Sequence, residues 1–187
     1  RSWKVRATYR YCGYGDGLFG TPKLHGGWHV VHRGERTYLW SDFGWPKIFR
    51  VDEPGRRLVP VAASGIVNVG QHQRPARCPE PWLAALRAKG LNADDYNVRR
   101  LYTGWTWADA DDDGEMDAEE FRVIERGGHG FGYWPAGSRY LDADWNVYFG
   151  RGGTEHAYDY MPNRGLTACG APVWDWDDLA PGLANPM

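Results

Sequence analysis

Short runs of β-branched and aromatic residues, separated by turn residues, make up most of this chain. The segment 47–62, KIFRVDEPGRRLVPVA, shows the pattern clearly, because two β-branched runs flank the turn sequence DEPG. Proline presets one turn dihedral angle and glycine accepts a positive φ, so a β-hairpin is predicted here. Eleven Trp, eleven Tyr and 25 Gly in 187 residues agree, since aromatic residues favour half-buried sheets and glycines favour tight turns. The sequence therefore predicts a mainly β fold.

The composition argues against several partners and cofactors. The formal net charge is only −2, so no overall charge favours binding to nucleic acid. No run of about 18 apolar residues occurs, and no membrane span is predicted. The three cysteines, Cys12, Cys78 and Cys169, are widely separated and form no C-x-x-C pair. They therefore predict no zinc site and allow at most one disulfide within the chain.

The segment 79–125 differs from the rest of the chain. WLAALRAK follows two prolines, has helical spacing of its apolar residues and stops at Gly90, which predicts one short helix. Strand character returns in VRRLYTGWTWAD (98–109), an acidic loop follows, and AEEFRVIE (118–125) is predicted to form a single helical turn. We interpret 79–125 as a helix, strand and loop inserted into one β domain or fragment that spans 1–187.

Three segments share a coarse plan of strand followed by turn: RTYLWSDF at 36–43, RRLYTGWTW at 99–107 and DWNVYFGRG at 144–152. Their spacing of roughly 45 to 65 residues is near the period of a β-propeller blade with insertions, and it favours blades over a closed barrel. A full ring takes about four to eight blades, and this chain supplies about three. We therefore predict a partial ring, which other chains or the rest of a larger polypeptide would complete. The opening RSWKV has no methionine and also predicts a processed or excised chain.

Further motifs resemble NHL-type β-propeller proteins. DADWNVYFG (142–150) looks like the D-x-D-G-N-V-Y opening of such a blade, with Trp145 where glycine is usual. YMPNRGLTACGAPVWDWDDL (160–179) looks like the close of a blade. The order of elements in 79–125 is similar to an EF-hand-like insertion in large secreted bacterial propeller proteins. The resemblance implies a propeller fold and no particular activity, because propellers host many unrelated functions.

The acidic segment 109–120, DADDDGEMDAEE, has the spacing of an EF-hand calcium loop. That loop carries oxygen ligands at positions 1, 3, 5, 7, 9 and 12 and a glycine at position 6, which is Gly114 here. Ca²⁺ needs six to eight oxygen ligands, and without a cation such clustered carboxylates repel one another. We therefore predict that this segment binds a calcium ion, and the alternative is a solvated acidic loop. The predicted ligands are Asp109, Asp111, Asp113, the backbone carbonyl of Glu115, Asp117 (directly or through a water molecule) and Glu120.

The surroundings of this loop favour a structural calcium ion over a calcium sensor. Sensor EF-hands occur in pairs, and their flanking helices move when calcium binds. Here the entering segment LYTGWTWA (101–108) looks like a strand. The only other candidate, DADWNV (142–147), lacks a glutamate at the twelfth place and is predicted to be a turn. A lone structural site fits a calcium-rich extracytoplasmic setting, periplasmic or secreted.

Other motifs predict no second site. GYGDGLFG (13–20) contains G-x-G-x-x-G, but TPKLHGG follows it where a nucleotide site would need a helix. His29 and His32 would lie on opposite faces of a strand and would not share a metal ion. The tryptophans either pack between neighbouring blades or form an exposed sugar-binding face, and we predict packing, with one or two exposed near Trp134. The tryptophans in question are Trp40, Trp45, Trp105, Trp107, Trp134, Trp145, Trp174 and Trp176.

Three functions are consistent with these features. The first is a non-catalytic, calcium-stabilised β-propeller scaffold for ligand or protein interaction. The second is an enzyme domain on the same fold that acts on carbohydrate, although the sequence contains no G-x-S-x-G, H-E-x-x-H or P-loop motif. The third is a calcium sensor. We favour the scaffold.

Overall fold

The computed structural model describes residues 10–11, 28–41, 46–67, 78–125, 139–150 and 157–184, and these residues form a mainly β structure. The first sheet has seven strands. Six of them follow one another in chain order, each antiparallel to the next, while the first pairs in parallel with the start of the fifth. The strands are β1 (Arg10–Tyr11), β2 (Trp28–Arg33), β3 (Arg36–Ser41), β4 (Lys47–Asp52), β5 (Arg57–Ile66), β6 (Gly104–Ala108) and β7 (Phe121–Ile124).

The C-terminal part adds a four-stranded antiparallel sheet and a two-stranded hairpin. Its strands are β8 (Arg139–Leu141), β9 (Val147–Gly150), β10 (Ala157–Met161), β11 (Asn163–Leu166), β12 (Pro172–Trp174) and β13 (Ala180–Ala184). The larger sheet has the order β13-β10-β9-β8, and β11 pairs with β12. In the described ranges, the C-terminal strands therefore pair only with one another and not with strands of the first sheet.

Two turns have the form that the sequence predicts. The DEPG turn joins β4 to β5, and the Asp52 carboxylate accepts hydrogen bonds from the Gly55 N–H and from Arg57. The DADWNV segment forms the turn between β8 and β9, in which Asp142 accepts the N–H groups of Asp144 and Asn146. Trp145 has a φ of 65° in this turn, a left-handed conformation that glycine adopts more readily than other residues.

The predicted helix is α1 (Glu80–Ala88), and it ends before Gly90, whose φ is +75°. The prediction of a strand from residue 98 onward is wrong at its start, because Tyr96–Leu101 forms a second helix, α2. Asp95 caps α2 by accepting the Asn97 N–H, and strand structure begins only at Gly104. None of the helices in the described part of the chain is long and apolar enough to cross a membrane.

The predicted helical turn after the acidic loop is also shorter than expected. Only Ala118–Glu120 is helical, as a 3-10 turn, and Phe121–Ile124 continues as β7. Phe121 and Val123 are buried while Arg122 is exposed, so this segment alternates as a strand does. Pairing with β6 therefore overrides the helical turn.

Two hydrophobic cores cover the two faces of the first sheet. Helix α1 packs on one face, where Trp82 and Leu86 contact a core that includes Phe49, Trp105 and Trp107. The C-terminal part packs on the other face. That second core includes Ile48, Ile124, Trp145, Phe149, Trp174 and Trp176.

Burial is confirmed for the predicted tryptophans that lie in the described ranges, while their packing between blades stays a prediction. All of these side chains are buried, whereas Trp45 and Trp134 lie outside those ranges. The buried ones are Trp40, Trp105, Trp107, Trp145, Trp174 and Trp176.

The described residues form sheets without a closed ring. Of the three repeat segments, 36–43 supplies β3 and 99–107 supplies most of β6, which belong to the same sheet. The segment 144–152 supplies β9 in the other sheet. A mainly β fold is confirmed, and the propeller stays a prediction.

Candidate metal centre

The acidic loop connects two neighbouring strands of the first sheet. Strand β6 leads into it, and the 3-10 turn Ala118–Glu120 leads out of it into β7. The two strands are antiparallel, and Trp107 lies opposite Phe121 in their register. The loop is therefore the connection of a β-hairpin and not the centre of a helix–loop–helix unit, and its two ends are fixed by the sheet.

Asp109 is the most enclosed residue of the loop. Its side chain is fully buried, and its carboxylate oxygens accept the N–H groups of Asp112 at 2.7 Å and Gly114 at 3.2 Å. Its backbone N–H donates to the Val61 carbonyl at 2.9 Å, and its carbonyl accepts the Cys169 thiol at 2.7 Å. These bonds fix the start of the loop against β5 and against the C-terminal part.

Burial raises the pKa of the Asp109 carboxyl from its ordinary 3.8 to about 6. The nearby carboxylates of Glu120 and Asp112 raise this pKa further, while the N–H groups of Asp112 and Gly114 lower it. The folded protein therefore disfavours the ionised form of Asp109, and a bound cation would stabilise that form.

Asp111 and Asp113 curl the loop through bonds to the backbone two residues ahead. The Asp111 carboxylate accepts the Asp113 N–H at 3.3 Å, and the Asp113 carboxylate accepts the Glu115 N–H at 2.6 Å. Asp and Asn side chains form such turns readily. The two turns overlap, so the backbone bends between Asp111 and Glu115.

Five of the predicted ligands converge through their side chains. One ligand oxygen from each of Asp109, Asp111 and Glu120 lies within 4.8 Å of the other two. Asp111, Asp113 and Asp117 form a second such group, and Asp111 belongs to both. The sixth predicted ligand, Glu115, has an exposed side chain outside both groups, and the prediction assigned it only a backbone carbonyl.

Position 114 requires glycine for two reasons, its backbone conformation and the lack of room for a side chain. Its φ is +76°, a region that side chains rarely adopt. A Cβ atom at this position would lie 2.5 Å from the Cγ1 atom of Val59 on β5. The glycine therefore lets the loop bend while it lies directly against the sheet.

Glu120, at the last place of the loop, is held by two donors. The indole N–H of Trp107 donates to its Oε2 atom at 2.8 Å, and the Ala110 N–H donates to its Oε1 atom at 2.5 Å. Met116, at the eighth place, is buried in the same core as Trp107. The last part of the loop is thus attached to the core by an apolar contact and by polar contacts.

The sequence does not predict the two arginine side chains that form ion pairs with the acidic loop. Asp112 has a φ of 71°, and its carboxylate forms an ion pair with Arg50 at 2.9 Å and a longer one with Arg36 at 3.9 Å. Arg36 also donates to the Cys169 carbonyl. These arginines lie on β3 and β4, far from the loop in sequence, so no local pattern points to them.

The remaining candidates add no competing centre. His29 and His32 are exposed on β2, and neither belongs to a possible metal-binding group in the described ranges. The segment 13–20 and Cys12 lie outside those ranges. Asp109, Asp112 and Cys169 form a third possible group, but Cys169 already donates to the Asp109 carbonyl. The sequence matches no family model, and the chain matches no curated protein and no solved structure.

Proposed function

We propose that residues 109–120 bind one calcium ion that stabilises the fold. The convergence of five carboxylates in two overlapping groups that share Asp111 carries this proposal. Calcium binds six to eight hard oxygen ligands in flexible geometry, whereas zinc sites favour nitrogen and sulfur. Five carboxylates, one of them a glutamate that can bind through both oxygens, together with the Glu115 carbonyl, satisfy this requirement. Neutralising the buried Asp109 adds to the stabilisation.

A structural role follows from the contacts of the loop. Asp109 bonds to Val61 on β5 and to Cys169 in the C-terminal part, while Asp112 pairs with arginines on β3 and β4. An ion that orders this loop therefore supports contacts between distant parts of the chain. At a calcium concentration 100 times its Kd, binding would add about 2.7 kcal/mol to the free energy of unfolding. The strands on either side are held in a sheet, which favours a structural ion over a sensor.

The wider function that we propose is a scaffold outside the cytoplasm that binds a ligand or another protein. The calcium loop supports an extracytoplasmic setting, since calcium is abundant there. The tryptophans in the described ranges are buried and offer no exposed ring for stacking on a sugar, whereas Trp45 and Trp134 lie outside those ranges. We keep the β-propeller as the proposed architecture of the complete assembly, in which other chains or further polypeptide supply the missing blades.

The proposal is tested by calorimetric titration of the chelator-treated protein with calcium, together with its melting temperature. We expect one ion per chain and a rise in melting temperature. Glu120→Gln should abolish both effects. Glu119→Gln is the matched control, because Glu119 is adjacent, equally charged, exposed and outside both carboxylate groups. Absence of binding heat and of a melting-temperature rise would refute the proposal, as would equal losses in the two variants.

A further inference from the structure

We propose that Trp107 is a positioning residue for the metal centre, because it orients the Glu120 carboxylate. This inference rests on the proposed function. Trp107 lies on β6, and its side chain is only 1% exposed. Its indole N–H donates to the Glu120 Oε2 atom at 2.8 Å. A ring that belongs to the hydrophobic core thus reaches a predicted metal ligand.

The register of the sheet fixes the position of this donor. Trp107 lies opposite Phe121, the residue that directly follows Glu120. An indole N–H can only donate, and a buried one usually finds an acceptor. The ladder between β6 and β7 therefore places a hydrogen-bond donor beside Glu120. The position of that donor depends on the sheet and not on the conformation of the loop.

Two donors determine the orientation of the carboxylate. Trp107 bonds to one oxygen of Glu120, and the Ala110 N–H bonds to the other at 2.5 Å. An ionised carboxylate offers about four lone-pair sites, so each oxygen keeps one for a cation. Glu120 also lies within 4.8 Å of Asp109 and Asp111 through its ligand oxygen. Hence Trp107 holds Glu120 in place while leaving it able to bind metal.

Loss of the indole donor should weaken calcium binding. Partners that orient metal ligands typically contribute about 10- to 100-fold to metal affinity. Trp107→Phe keeps an aromatic ring in the core but removes the N–H group. We expect calcium affinity to fall by about tenfold or more, because only the Ala110 N–H then orients the carboxylate before the ion binds.

Trp105→Phe is a matched control. Trp105 lies on the same strand, is 2% exposed and belongs to the same hydrophobic core as Trp107. Its indole nitrogen has no hydrogen-bond partner among the described residues. Both substitutions remove the same atoms from one core, but only Trp107→Phe removes a bond to Glu120. A purely structural role would make their effects on calcium affinity equal.

The experiment combines calcium calorimetry on the wild type and both variants with NMR of the indole N–H groups in the wild type. The calcium affinity of Trp107→Phe should be lower than that of wild type by about tenfold or more. The calcium affinity of Trp105→Phe should stay within about twofold of wild type. The Trp107 indole resonance should shift on calcium addition more than that of Trp105. Equal affinities of the two variants, or a Trp107 resonance unmoved at saturation, would overturn the inference. If a variant does not fold, the NMR measurement on the wild type alone tests the inference. Absence of calcium binding by the wild type would refute the proposed function itself.

Discussion

Substitution of Gly114 by alanine should destabilise the protein more than the same substitution at Gly90. Both glycines have nearly the same positive φ, +76° and +75°. A left-handed conformation costs an alanine about 1–2 kcal/mol, and both variants share this cost. At Gly90 a new Cβ meets nothing within 4 Å, whereas at Gly114 it lies 2.5 Å from the Cγ1 atom of Val59. The difference between the two variants therefore reports the steric conflict alone.

The conflict at Gly114 should add about 1–3 kcal/mol, the usual cost of forcing extra atoms into a packed site. Urea unfolding in the presence of a chelator measures both variants against wild type. Val59→Ala removes the clashing methyl groups, so Gly114→Ala should be less destabilising in that background. Equal destabilisation by Gly114→Ala and Gly90→Ala would refute the described packing of the loop against β5.

Three further predictions test other parts of the structure. Arg50→Met should lower stability by only about 0.2–1 kcal/mol, because its ion pair with Asp112 is partly exposed, and thermal melts should show the loss shrinking at high salt; a salt-independent loss would contradict this. In chelator, the raised pKa of Asp109 should make wild type lose stability relative to Asp109→Asn as pH rises from about 4 to 7. The change should reach at most about 3 kcal/mol in urea unfolding, and a pH-independent difference would contradict it. Thr106→Val should cost about 1–3 kcal/mol by leaving the buried Trp174 carbonyl without its 2.9 Å hydroxyl donor, and an unchanged free energy of unfolding would contradict that role.

Local patterns in the sequence predict the local structure well. The DEPG hairpin, the helix that ends before Gly90 and the turn at 142–147 all depend on residues close together in the chain. The spacing of the carboxylates in 109–120 likewise predicts which side chains converge. These features follow from backbone preferences and from side chains that bond to their own neighbourhood.

Features that depend on distant residues could not be predicted. Helix α2 is an exception, because the sequence predicts a strand for its residues 98–101 although its contacts are local: Asp95 caps its start, and the buried Arg99 donates to the Ala93 carbonyl. The pairing of β6 with β5 joins two repeat segments into one sheet. Arg50 meets Asp112, and Trp107 meets Glu120, only because the sheet fixes their register. Strand pairing determines the contacts of Arg50 and Trp107, and no short segment of the sequence encodes that pairing.

A crystal structure from crystals grown in calcium would show whether the acidic loop binds the ion. We expect one calcium ion inside the loop, with oxygen atoms about 2.3–2.6 Å away. The ligands should be the carboxylates of Asp109, Asp111, Asp113, Asp117 and Glu120 and the Glu115 carbonyl. An ion bound elsewhere, or loop carboxylates that contact only water at saturating calcium, would contradict the proposed calcium site.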